Sequence, residues 1–288
     1  MEALLSLSFD SISSKDFSKI RKGLRQIEGL LAQICLSKST SSSPSKRRAS
    51  AVSTTDTSSP KNLAALADDP AFREFFRVQD GFEWNVATRL IACLERLMGM
   101  GSSSGQNDLM ILSTLDLLQG ILLLHPPSRV LFSREIHMNL LLDLLDELNC
   151  PAIQSHTLLV LVSALLSTPR NIRTFESIDG LLTVTSLFKS RSTSQSVKLK
   201  VMEFLYFYLM PETPSIASAS APSTAILQRS PSKLLGAFER RSINGPEFGG
   251  GGGDEDETLT TEDKQRLLGR YMSNVDDLVA DLRENSPI

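Results

Sequence analysis

The sequence predicts an all-α protein: an armadillo/HEAT-like α-solenoid with a disordered Ser-rich insert and a disordered C-terminal linker. Three observations lead there. The chain is rich in Leu and poor in aromatics, with one Trp and three Tyr in 288 residues, a balance that suits helices better than β-structure. Apolar residues recur at steps of three and four between Pro and Gly breaks. A pattern of Pro, Phe and turn residues returns after about 43 residues, inside the range of armadillo and HEAT repeats.

The elements follow in order. Residues 1–36 are expected to form an N-terminal capping helix, because Phe17, Ile20, Leu24, Ile27, Leu31 and Ile34 make one apolar stripe and a solenoid closes its end with an atypical unit. Its polar face carries Lys15, Lys19, Arg21, Lys22 and Arg25 against Asp16 and Glu28, a basic pattern that also suits an anionic membrane surface. Residues 37–60 are a Ser/Thr tract broken by Pro44 and Pro60. They bury too little apolar surface to offset the entropy of ordering and are expected to be disordered.

Residues 61–211 form the armadillo-like helical domain and share one core with residues 1–36. Asp69-Pro70 is an N-cap with proline at the first helical position, opening a short helix to Phe76. Helices are expected over 82–98, 108–124, 134–148, 153–166, 181–188 and 195–210, with a loop at 101–106. Pro126-Pro127, Cys150-Pro151, Thr168-Pro169 and Pro211 stop four of them. Connections this short make sequential helices packed neighbours. The stretches 121–124, 140–145 and 158–166 are apolar all round, which places them centrally. Aligning 126–145 with 169–188 puts Phe132 on Phe175, and a third copy from Pro70 puts Phe76 and Asp80-Gly81 on Phe175 and Asp179-Gly180.

Residues 212–257 are expected to be a disordered linker, rich in Ser, Ala and Pro before five consecutive Gly and an acidic run at 254–257. Residues 258–285 hold an amphipathic helix over 262–282 with Leu267, Leu268, Tyr271, Val275, Leu278 and Leu282 on one face. Thr260 and Asp263 have capping-box spacing. This helix either folds back onto the core or docks in a partner's groove.

Bulk properties exclude several functions. A net charge of −3 gives no electrostatic case for nucleic acid. No uninterrupted apolar run reaches the length of a membrane span, and residues 1–10 lack the basic start of a signal peptide, so a cytoplasmic protein without integral membrane association is expected. Cys35, Cys93 and Cys150 have no paired spacing and read as reduced thiols. His125, His137 and His156 fall on different elements without metal-ligand spacing, and no cofactor is expected. Residues 101–105 fit G-x-S-x-G, yet they lie in a loop between helices rather than between a strand and a helix. A cysteine phosphatase needs Arg six residues after its Cys, where this chain has Ser41, Gly99 and His156. No catalytic residue is assigned, and no enzyme activity is expected.

Binding features remain. Phe82, Glu83, Trp84 and Asn85 place a Trp beside a turn, a plausible interface anchor; the competing reading has Trp84 filling the core between the first two repeats. Ser50 and Ser242 follow paired Arg residues, and Ser43, Ser59, Thr213 and Ser230 precede Pro. These six are candidate phosphosites, fitting regulation linked to the cell cycle.

The strings FREFFRVQDGFEWNVATRLIACLERLMG (72–99), NIRTFESIDGLLTVTSLFKS (171–190) and VKLKVMEFLYFYLMPE (197–212) resemble the fungal cell division control protein 14 family of the septation initiation network, a family unrelated to the phosphatase of the same name. The resemblance covers about residues 4–212 apart from the Ser-rich insert. It implies a non-catalytic subunit that associates with a sterile-twenty-like, germinal-centre-type protein kinase. It also implies action at the spindle pole body, in signalling that triggers septum formation and cytokinesis. The alternative from the fold pattern alone is a generic armadillo-like peptide-binding scaffold.

Overall fold

The computed structural model describes residues 1–36, 61–100, 105–212 and 258–285. The Ser-rich insert, the serines of the G-x-S-x-G match, and the linker from residue 213 lie outside the described residues. So do the candidate phosphosites Ser43, Ser50, Ser59, Thr213, Ser230 and Ser242. Among the described residues every regular element is helical.

The N-terminal segment is two helices where the sequence predicts one. The first, α1 (Glu2–Ile12), folds back along α2 (Phe17–Cys35). Asp16 caps α2 by accepting from the Ser18 N–H at 2.8 Å, which ends one helix and starts the next. Gly23 sets the close approach of the pair: a Cβ there would lie 2.6 Å from Ile12 Cγ2 and 2.8 Å from the Ser8 carbonyl oxygen. The predicted stripe Ile20, Leu24, Ile27, Leu31 and Ile34 is buried. It faces the protein core, leaving α2 no apolar face for a membrane.

After the insert, Lys61 fastens the chain back to α2. Its N–H donates to the Cys35 carbonyl at 2.9 Å, its Nζ donates to the Ile34 carbonyl at 2.7 Å, and it pairs with Asp69. Then come α3 (Leu63–Asp68) and α4 (Pro70–Gln79), the latter capped by Asp69 as predicted.

Three units follow. The first adds α5 (Val86–Gly99) and α6 (Gly105–Leu124) to α4. The second runs through a 3-10 helix (Pro126–Ser133), α7 (Glu135–Asp143) and α8 (Pro151–Leu165), and the third is α9 (Pro169–Ser177), α10 (Gly180–Lys189) and α11 (Gln195–Leu209). The long helices α2, α6, α8 and α11 pack in a row, each against the next. By length and composition alone α6 could cross a bilayer. In this fold it lies against α2, α5 and α8, with Leu115, Leu118, Ile121 and Leu122 fully buried.

Some boundaries differ from expectation for local reasons. The helix predicted from Phe82 starts at Val86, because the Asn85 side chain accepts from the Thr88 N–H at 2.9 Å and ends the helix there. The α7 helix stops early, where the Asn149 amide donates to the Asp143 and Leu144 carbonyls at 3.2 Å each. Phe132 and Phe175, aligned by the repeat, are both fully buried. The third copy fits less closely: Phe75 is the buried aromatic of α4, whereas Phe76 is half-buried.

The tail is also split, into α12 (Thr261–Leu268) and α13 (Val275–Asn285), with Gly269 at the break. Of the two alternatives for this segment, the structure shows the first. The tail folds back on α11, burying Leu268, Met272, Val275, Leu278 and Val279; the Leu282 side chain lies outside the described residues. Glu212, assigned by sequence to the linker, is buried beneath it with 2% of its side chain exposed.

Candidate partner-binding site

The site is the turn between α4 and α5. Gln79, the last residue of α4, is fully buried. Its Nε2 donates to the Trp84 carbonyl at 3.1 Å and its Oε1 accepts from the Val86 N–H at 2.8 Å. Asn85 Nδ2 donates to the Gln79 carbonyl at 2.8 Å and to Ser128 Oγ of the next unit at 2.9 Å. The turn is therefore held at both ends by buried side-chain amides.

The network continues into the second unit. Ser128 Oγ lies 2.8 Å from His125 Nδ1, and His125 Nε2 lies 3.1 Å from Asp80 Oδ1. Both imidazole nitrogens have partners, with Nδ1 accepting from the hydroxyl and Nε2–H donating to the carboxylate. The ring is also edge-on to Phe76, centroids 4.5 Å apart. Serine, histidine and aspartate connected in this order match the logic of a hydrolytic triad. Here the hydroxyl donates to His125 while accepting from Asn85, and Ser128 is 2% exposed, so its bonding capacity goes to joining the first two units.

The same device recurs one repeat later. Ser128 follows Asn85 by 43 residues, and Asn171 follows Ser128 by the same step. Asn171 Nδ2 donates to the Ala164 carbonyl at 2.7 Å and the Arg129 carbonyl at 2.8 Å. Arg129 donates through Nε to the Leu122 carbonyl at 2.9 Å and through Nη1 to the Leu166 carbonyl at 2.8 Å. Buried donors thus tie each unit to its neighbour through backbone carbonyls at helix ends.

Burial pushes the His125 pKa below the ordinary histidine value, overcoming the opposing pull of Asp80. The unfolded chain then binds a proton at His125 more readily than the folded one. The stability contribution is intact above about pH 6.5 and is lost on acidification below it. Urea midpoints measured at about pH 7.5 and 5.5 should show this loss, and His125→Gln should flatten the dependence.

The four predicted binding residues separate. Phe82 is 80% exposed, and Glu83 is exposed with its carbonyl accepting from Arg89 Nη2 at 3.3 Å. Trp84 is half-buried and stacks on Phe9 of α1, centroids 6.4 Å apart and planes 27° apart. It therefore packs against the core beside the N-terminal cap. Asn85 is buried as a cap and as the joint to the next unit. Beside Phe82 a pocket of about 300 Å³ is walled by Pro127, Val130 and Leu131 over the Asn85–Ser128 network, and Val130 is 55% exposed. Sequence reasoning missed Gln79, Ser128, Arg129 and Asn171, whereas His125 sits at a helix end and interface, as its sequence position implies. Only the even spacing of residues 85, 128 and 171 could have flagged the joint.

The fold and site define an all-helical protein of packed three-helix units that holds an exposed aromatic on a rigid turn. The chain belongs to the family described as Cell division control protein 14, SIN component, whose model matches residues 1–288, and it is thus a component of the septation initiation network in cell-division control. It is similar to the Cell division control protein 14 of Schizosaccharomyces pombe, at 28% identity over 224 residues, 75% of this chain and 82% of that protein. No solved structure matches the chain.

Proposed function

We propose that this protein is a non-catalytic adaptor that binds a sterile-twenty-like protein kinase of the germinal-centre type. In this reading it acts in the cytoplasm and at the spindle pole body, promoting septum formation and cytokinesis. Family membership supports the pathway, and one observation supports the binding role: Phe82, a large aromatic, is 80% exposed on a turn fixed by buried hydrogen bonds. A large apolar side chain carried on a backbone that is already fixed spares the cost of ordering the turn on docking, which suits an interface anchor. Non-catalysis is supported by the engagement of Ser128, the serine that His125 connects to Asp80, in bonds to Asn85 and His125.

Co-purification on a tagged full-length chain, read by mass spectrometry after a moderate-salt wash, should recover one such kinase near stoichiometry. Phe82→Ser should reduce that recovery by at least about tenfold while leaving the unfolding midpoint unchanged, since Phe82 packs on little. Recovery of many weakly bound proteins and no kinase would instead support the generic peptide-binding scaffold.

A further inference from the structure

A second surface lies between α2 and α6, apart from the Phe82 turn. There a cleft of about 390 Å³ has Arg21, Arg25 and Glu28 on one wall and Leu109, Ser113 and Asp116 on the other. Arg21 and Arg25 are one helical turn apart and share a face. Both are exposed, and among the described residues neither has an ion pair or hydrogen bond. Of the two acids in the cleft, Asp116 already has a partner, His156 Nε2 of α8 at 3.2 Å. The lining itself therefore carries two guanidinium groups and two carboxylates, and among the described residues the guanidiniums are the pair left without a contact.

The excess of positive charge comes from the rest of the α2 region, where Asp16 is the one further acid beside three lysines. Lys15 just before α2, and Lys19 and Lys22 on it, are exposed and also unpaired among the described residues. Meanwhile Leu109, at the lip of the cleft, is 54% exposed. Unpaired guanidinium forks match carboxylates bidentately, and an exposed leucine beside them offers an apolar rest. A bilayer is the poorer fit, because the apolar stripe of α2 that would enter it is buried in the core.

We propose that the α2–α6 cleft is a docking site for an acidic segment of a partner protein. Its carboxylates pair with Arg21 and Arg25, and an interspersed apolar side chain rests on Leu109. The adaptor then has two contact surfaces, and loss of this one leaves the Phe82 turn intact.

The test uses the purified full-length chain and a fluorescein-labelled peptide of repeated Glu-Glu-Leu triplets, read by anisotropy. The double reversal Arg21→Glu with Arg25→Glu should weaken binding by at least about tenfold. The reversal Lys15→Glu with Lys19→Glu makes the same change in net charge outside the cleft and should alter binding less than about threefold. Leu109→Ser, or replacing the peptide leucines by serine, should also weaken it. Circular dichroism checks that each variant is folded, which their exposed positions favour. Equal weakening by both reversals would overturn the proposal in favour of diffuse charge attraction, and absent peptide binding would overturn it outright. Binding to phosphatidylserine vesicles that is lost with Arg21 and Arg25, while the peptide is ignored, would reassign the surface to lipid.

Discussion

Replacing Lys264 with methionine should release the tail helices from the body while leaving the three units folded. Lys264 and Glu212 are each 2% exposed and pair at 3.1 Å. Lys264 Nζ also donates to the Met210 carbonyl at 2.9 Å and sits 5.2 Å from the Tyr208 ring centroid. Glu212 accepts from Arg173 at 2.6 Å and from the Leu259 N–H, at the start of the tail, at 3.0 Å. Glu176 completes the cluster, 3.1 Å from Arg173 and 2.6 Å from the Tyr208 hydroxyl that donates to it. Burial pushes the Lys264 pKa down and those of Glu176 and Tyr208 up. The charges are tolerated because they face one another.

Removing one partner of a buried pair costs roughly 3–5 kcal/mol. The lower part of that range applies here, because Arg173 still holds Glu212. The tail has fewer neighbours than the body to make up the loss, so it should open first. Hydrogen exchange at residues 261–280 should accelerate, with protection in α6 and α8 retained. Unchanged tail protection would show that Leu268, Met272 and Val275 hold the tail without the charges. Lys264→Met combined with Glu212→Gln should recover part of the protection, since no charge then stays buried without its lysine.

Phe175→Ala should be the more damaging change to the body, lowering stability by about 3–5 kcal/mol. That is a large share of the roughly 5–15 kcal/mol typical of a domain. The ring is fully buried and meets Phe204 edge-on, centroids 5.6 Å apart. It also fills the space left by Gly180, where a Cβ would lie 2.3 Å from the Phe175 ring. The glycine follows Asp179, which turns through a left-handed φ of 61°. Truncating the phenylalanine leaves a void that this tight turn cannot collapse to fill. Urea unfolding of the variant should show the loss directly. Phe76→Ala, at the position aligned with Phe175 by sequence, should cost less than half as much, because Phe76 is only half-buried.

That contrast marks how far the sequence could be read. Pro and Gly breaks located the body helices, because proline lacks the donor that continues a helix, and the α2 stripe identified its buried face. The first helix was missed: Leu4, Leu5, Leu7 and Phe9 follow no capping side chain, and only Leu5 and Phe9 of these are buried. Residues 82–85 continue the helical pattern of α5 in sequence, and the Asn85 cap in the fold is what excludes them from it. The exposure of Phe82 and the burial of Asn85 were equally illegible, since adjacent residues take opposite environments once the turn is fixed. Ser128, Arg129 and Asn171 are polar residues that sequence places on the surface by default. They are inside because helix ends of neighbouring units meet there and need donors, a requirement that exists only in the assembled fold.

The fastening of Lys61 to Cys35 and Ile34 has a consequence for how this chain can change over generations. Residues 35 and 61 are hydrogen-bonded to each other, so the core holds together the two points between which residues 37–60 are inserted. For a flexible chain closed between two fixed points, doubling the length costs only about 0.6 kcal/mol of closure entropy. By that measure the helices on either side place little demand on how many residues join Cys35 to Lys61.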